Sequence, residues 1–218
     1  MEPAYTQSRY PASQYPPRAR HRNVPDHGRG GGADGNERLT AWTGLVLLLL
    51  LAAEGLTILS VGSLLTAHFF IGMLLLGPVA VKLGSTGYRF VRYYAGSAPY
   101  RRKGPPAPIL RLLGPVIVAA TVGVFGSGVA LAFTGPAGRW PWVFLHKGSF
   151  VVWFCATAVH VLWYAPQLPR LLRAGAGHQV LAGRGVRFSL LAASLVLGLV
   201  IAVMTMQLAG NWHTGVQG

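Results

Sequence analysis

The sequence has almost no cysteine and very few acidic residues. Its single cysteine, Cys155, lies inside an apolar run, so no intrachain disulfide and no cysteine-based metal or iron–sulfur site can form. We expect Cys155 to be a small buried side chain. Glu54 is the one acidic residue after position 38. No nucleotide, phosphate or nucleophile motif occurs, so a flavin- or NAD-dependent activity would need a partner chain.

Charged residues of both signs are scarce. They make up 11% of the chain, against roughly 25% in soluble proteins, whereas hydrophobic residues make up 52%. The 19 Lys and Arg residues outnumber the 5 Asp and Glu residues, an excess that often indicates nucleic-acid binding. Here the basic residues lie between long apolar runs, as membrane insertion requires, so we expect a lipid bilayer and no nucleic acid as partner.

Long apolar runs dominate residues 39–212. A helix needs about 20 residues to cross the hydrocarbon layer, and continuous rather than alternating apolar runs favour helices over a barrel. The sequence therefore predicts an all-α integral membrane bundle with five transmembrane helices. These spans are expected at about 42–61, 64–83, 113–134, 143–164 and 188–209.

The segments that flank the spans predict the orientation. Residues 1–38, rich in Pro, Gly, Ser and Arg, are predicted to form a disordered basic tail. Sixteen of the 19 basic residues fall on the side of this tail, two on the other side, and Lys82 at the boundary. This asymmetry predicts a plasma-membrane protein with a cytoplasmic N-terminus and with 213–218 as a short external C-terminus.

Polar side chains inside the spans are costly, so each one needs a reason. His146 and His160 lie on the fourth span, 14 positions apart. That separation is about 40° short of four full turns and roughly 21 Å along the axis. Both side chains therefore share one helix face, one near each membrane boundary. This is how one helix would serve two cofactors stacked across a bilayer.

The second span carries half of the same pattern. His68 lies about as deep as His146, and position 14 beyond it is Lys82. Because the two spans run in the same direction, His68 can face His146 at the outer level, and Lys82 can face His160 at the inner level. Neutral imidazole is a good ligand for haem iron, and bundle cores commonly hold such sites. His68, His146 and His160 are therefore the candidate metal ligands.

This His-x13-His pattern, with a histidine at matching height two spans earlier, resembles the membrane b-type cytochromes. That group includes cytochrome b, the cytochrome b561-like proteins and the ferric-reductase-like haem proteins. The resemblance covers about residues 41–210. It implies an electron-transfer subunit that binds haem b and connects a membrane quinone with an extracytoplasmic redox partner. It assigns His68 and His146 to one haem and makes His160 a candidate ligand of a second; Lys82 stands where relatives often have a histidine.

Other residues are candidates for supporting roles at such a site. Arg139 and Lys147, on the outer side, could pair with haem propionates. Glu54 could accept a hydrogen bond from a ligand histidine, transfer protons near a quinone, or be a protonated packing residue. His213 is expected in an interfacial aromatic belt. It is also the candidate to replace His68 or His146 if either of them is not a ligand. Glycines near the ligands would let a flat macrocycle approach the backbone: Gly72, Gly123, Gly126, Gly128 and Gly148.

Three alternatives remain open at the level of sequence. Each histidine could be a packing residue, and Lys82 could extend its ammonium to the inner interface. The whole chain could be a cofactor-free scaffold or assembly subunit of a larger complex. A transporter is disfavoured, because five spans form no inverted repeat and few polar residues line them.

The charge asymmetry generates the first testable prediction. A reporter that is active only outside the cytoplasm is expected to be active when fused after Gly218, because the basic flanks hold the N-terminal side in the cytoplasm. Activity of a cytoplasm-only reporter at the same position would reverse the orientation.

Overall fold

The computed structural model describes residues 32–102, 108–167 and 184–214, and all of its regular structure is helical. Within these residues, six α-helices and one 3₁₀ turn follow one another. They are α1 (Gly32–Ile58), α2 (Val61–Tyr94), α3 (Ala98–Arg102), α4 (Pro108–Thr134), α5 (Trp142–Tyr164), the 3₁₀ turn (Ala165–Gln167) and α6 (Arg184–Thr214).

Five of these helices are long and apolar enough to cross a membrane, which confirms the predicted all-α membrane bundle. The candidate spans are Gly35–Ile58, Val61–Tyr94, Pro108–Thr134, Trp142–Tyr164 and Gly185–Trp212. Large apolar side chains such as Leu49 and Phe144 point outward. The prediction that Cys155 is buried was wrong, because its side chain is exposed on the same kind of lipid-facing surface. In water such a surface would favour aggregation, whereas in a bilayer it faces lipid.

Several helices are longer than the apolar runs alone predicted. α1 begins at Gly32, inside the segment 1–38 predicted as a disordered tail, and α2 continues to Tyr94 rather than ending near 83. A helix does not have to end at the lipid boundary, because its backbone hydrogen bonds are internal. Asn36 also donates from its side-chain amide to the Ser85 carbonyl at 3.1 Å, which ties the start of α1 to α2. The predicted tail residues 1–31 and the C-terminal residues 215–218 lie outside the described residues.

The helices pack as two groups. α2 lies against both α1 and α6, while α4 and α5 pack closely against each other. A smaller contact joins α2 to α4, and a cluster of Met73, Ala132 and Ala202 links α2, α4 and α6 at that junction. The bundle is therefore tight within each group and looser between them.

The contact between α2 and α6 depends on two glycines. A Cβ atom added to Gly77 would lie 1.9 Å from the Ser194 carbonyl oxygen, and one added to Gly198 would lie 2.1 Å from the Leu74 carbonyl oxygen. Pro78 has no N–H, so it cannot bond the Leu74 carbonyl four residues earlier. The backbone of Gly198 approaches this carbonyl, in the manner of the close contacts that small residues allow in membranes.

We expect Gly77→Val to destabilise the bundle by about 1–3 kcal/mol, because α2 and α6 must separate to admit the side chain. The measurement is thermal or denaturant unfolding in detergent. Gly84→Val is the matched control on the same helix, since nothing lies within 4 Å of a Cβ atom there. Equal losses in the two variants would show that helix propensity, and not the α2–α6 contact, sets the effect.

Candidate functional site

The space between the two helix groups brings two histidines together. His68 lies on α2 and His146 near the start of α5, and their ring centroids are 6.3 Å apart with planes at 88°. The sequence placed these residues at one depth on parallel spans. The structure brings their rings into edge-on contact across the loose junction of the bundle.

Hydrogen-bond partners on α1 favour one tautomer of the His68 ring. Its Nδ1 lies 2.9 Å from Glu54 Oε1 and 2.9 Å from Thr57 Oγ1. The Thr57 hydroxyl donates its own hydrogen to the Glu54 backbone carbonyl at 2.6 Å, so its oxygen is an acceptor toward the ring. With Thr57 as an acceptor, and with Glu54 accepting as a carboxylate, a neutral His68 ring carries its hydrogen on Nδ1. Nε2 is then the nitrogen with the lone pair.

A second set of acceptors fixes His146 in the same tautomer. Its Nδ1 lies 3.0 Å from the Val124 carbonyl oxygen and 3.2 Å from Ser127 Oγ. A carbonyl can only accept, and Ser127 donates its hydrogen to the Gly123 carbonyl. The His146 Nδ1 is therefore the donor, and its Nε2 also keeps a lone pair. Both rings thus have the protonation that metal coordination through Nε2 requires.

Glycines leave room for this arrangement. A Cβ atom at Gly128 would lie 3.2 Å from His146 Cε1, and one at Gly72 would lie 3.5 Å from Glu54 Oε1. Gly123 admits the Ser149 side chain, whereas Gly126 and Gly148 face open space. Of the five glycines that the sequence indicated, Gly72 and Gly128 therefore adjoin the histidine pair.

A cavity of about 290 Å³ lies beside the pair. Its wall is mostly apolar, and its charged or ionisable lining residues are Glu54, His68, His146 and Lys147. Glu54 Oε2 is buried and has no hydrogen-bond partner within the described part of the chain. A concave apolar site with a few convergent polar groups is typical of ligand binding, and the unpaired oxygen leaves one polar atom for an occupant or a water.

The two predicted cationic partners differ in position. Lys147 lies on α5, one residue after His146, and lines the cavity. Arg139 is an exposed residue of the turn between α4 and α5 and does not line it. Trp212, near the end of α6, contributes to the wall. The neighbouring His213 lies in the last turn of α6.

Lys82 and His160 make other contacts at the opposite end of the bundle. Lys82 Nζ donates to the Thr40 carbonyl of α1 at 2.8 Å, beside Gly44, where a Cβ atom would approach Nζ to 3.1 Å. The ammonium is therefore directed to α1, which the sequence did not predict. His160 contacts the Tyr164 ring on its own helix, with centroids 5.0 Å apart.

Sequence reasoning identified both histidines and Glu54 but missed their partners Thr57 and Ser127. Thr57 follows Glu54 by three residues, and that spacing on one helix face was an available signal. Ser127 lies within the glycine cluster of α4. The sequence indicated that cluster only because its residues are small. Its contact with His146 depends on how α4 and α5 are rotated against each other.

Comparisons with models of known protein families, with curated proteins and with solved structures found no match to this chain. The functional argument therefore rests on the chemistry and geometry of the histidine pair.

Proposed function

We propose that the protein is a b-type cytochrome subunit that holds one haem between His68 and His146. It would transfer electrons between a membrane quinone and an extracytoplasmic redox partner. The observation that carries this proposal is the pair of facing imidazoles with the same tautomer and with centroids 6.3 Å apart. Bound haem would supply a one-electron couple to this site.

Two side chains that the bundle already brings together would hold the haem. His68 and His146 would each offer Nε2 to the iron, and their ring centroids are 6.3 Å apart. Gly128 makes room for the His146 ring against α4, because a Cβ atom there would lie 3.2 Å from Cε1.

The residues around the ligands have separate tasks in this proposal. Thr57 and Glu54 orient His68, and the Val124 carbonyl and Ser127 orient His146. Such outer hydrogen bonds hold a ligand ring in place and raise its basicity. Lys147 on the cavity wall is the cation placed to pair with a propionate.

The proposal assigns one haem rather than two. For Lys82 to act as a ligand, its ammonium would have to lose a proton and leave the Thr40 carbonyl. His160 alone could supply only one axial ligand to a second haem. A cofactor-free scaffold is the competing function, and it predicts no visible absorption at all.

We expect the purified protein to show a reduced-minus-oxidised spectrum of six-coordinate haem b, with a haem-to-protein ratio near one. His68→Ala and His146→Ala should each abolish this binding, because either removes an axial ligand. Pyridine haemochrome analysis of the wild type and of each variant measures the ratio.

The matched control is His160→Ala, on the same helix as His146, which should keep its haem. A ratio near two that falls by half in both His146→Ala and His160→Ala would contradict the single site. If protein purified from haem-replete cells has no Soret band, the haem proposal is wrong and the scaffold function is favoured.

A further prediction concerns Glu54. A carboxylate that accepts from His68 Nδ1–H makes the ring a stronger donor and stabilises the oxidised iron. We expect Glu54→Gln to keep the haem but raise the midpoint potential, by roughly 59 mV if the redox equilibrium changes tenfold. Redox titration followed in the visible band measures the potential.

Thr57→Val is the comparison for Glu54→Gln, because it removes a neutral acceptor from the same Nδ1 and should move the potential less. An unchanged midpoint potential in a haem-loaded Glu54→Gln protein would contradict the proposed effect of Glu54 on the potential. It would not contradict the haem site.

A further inference from the structure

The end of α2 remote from the histidine pair extends well beyond the polar contacts that mark the edge of the bundle. α2 has 34 residues, about 51 Å at 1.5 Å per residue, whereas the hydrocarbon layer is about 30 Å thick. Asn36 and Thr40 of α1 meet Ser85 of α2 through hydrogen bonds. We call the following part of the chain, residues 86–101, the edge segment.

The edge segment is basic and amphipathic. It carries Arg89, Arg92 and Arg101 and no acidic residue. On α2, a stripe of Phe90, Val91 and Tyr94 is 62%, 61% and 66% exposed. At 100° per residue, Arg89 and Arg92 project from the other side of the helix. A stripe of apolar and aromatic side chains opposite arginines is the pattern of a helix at a membrane surface.

Contacts with α3 place Arg92 beside a buried tyrosine. Tyr100 is 7% exposed and packs edge-on against Tyr88, with ring centroids 6.0 Å apart. The Arg92 guanidinium lies 6.0 Å from the centroid of the same Tyr100 ring. Burial in this contact, together with Tyr88, raises the pKa of Tyr100, so it stays neutral beside the arginines near neutral pH. The chain turns back at positive-φ Gly96, which places Arg101 on the returning α3.

We propose that the edge segment is a binding surface for anionic phospholipid headgroups. The apolar stripe would lie at the boundary of the acyl chains, and the arginines would contact the phosphates just outside it. Arginine suits this role because its planar guanidinium forms paired hydrogen bonds to phosphate oxygens. The basic flanks predict that this end faces the cytoplasm, where the leaflet is rich in anionic lipid. This inference does not depend on the haem proposal.

The test is lipid retention by the full-length protein in detergent, measured by native mass spectrometry. The protein is incubated with equal amounts of phosphatidylglycerol and phosphatidylcholine that have identical acyl chains. We expect wild type to retain phosphatidylglycerol selectively. Arg89→Gln/Arg92→Gln should lower this selectivity by about fivefold for each arginine.

Two controls separate charge from folding. Arg89→Lys/Arg92→Lys keeps both charges and should retain much of the selectivity, and Arg139→Gln removes one charge at the opposite end and should have no effect. Raising the salt concentration should release the lipid from unmodified protein, because ions screen exposed charges. Equal retention of the two lipids by wild type, or unchanged selectivity in the Arg89→Gln/Arg92→Gln variant, would overturn the proposal. Selective capture of acidic proteins instead of the anionic lipid would overturn it as well.

Discussion

The structure depends on one constraint: lipid supplies no hydrogen-bond partners, so polar groups inside the bundle depend on the protein for them. This constraint explains why the His68 ring is bonded to Glu54 and Thr57, and why Lys82 donates to a backbone carbonyl. Each bond fixes a proton as well as a position. In water the histidine tautomers would exchange freely, whereas here the neighbouring acceptors favour the one that leaves the lone pair on Nε2.

The same bundle combines one very close helix contact with one open junction. At Gly77 and Gly198 the backbones of α2 and α6 approach until no side chain fits between them. On its other side α2 meets the α4–α5 pair less closely, and the cavity lies there. Tight packing in one place stabilises α2, so that His68 can be held rigidly at the edge of a space that protein atoms do not fill. A ligand site gains precision when it is built on such fixed helices.

The sequence predicted the fold well because length and hydropathy alone decide whether a helix can span a bilayer. It also predicted that His68 and His146 share one level, since that follows from helix rise and direction. The helix ends were less predictable, because α2 continues past the apolar run as an amphipathic helix. Three features of the site depend on helix rotation and local packing, which the sequence did not predict. They are the hydrogen bonds of Ser127 and Thr57 to the histidines, the direction of Lys82, and the separation of Lys147 from Arg139. Hydropathy carries no information about rotation when a helix is apolar on every side.

The two ends of the bundle show how a repeated spacing can support two different outcomes. His146 and His160 are 14 residues apart, as are His68 and Lys82, so helix geometry alone would allow a coordination site at each level. At the first level, the Nδ1 atoms of both imidazoles contact acceptors of the protein, and each Nε2 keeps its lone pair. At the second level, Lys82 uses its ammonium to bind α1, next to hydrogen bonds that connect Asn36, Thr40 and Ser85. Coordination of a metal by Lys82 would break its hydrogen bond to the Thr40 carbonyl. That bond joins α2 to α1, and the carbonyl would lose this donor. At this end of the bundle Lys82 therefore stabilises the contact between α1 and α2, whereas a histidine in its place would face His160 as a possible metal ligand.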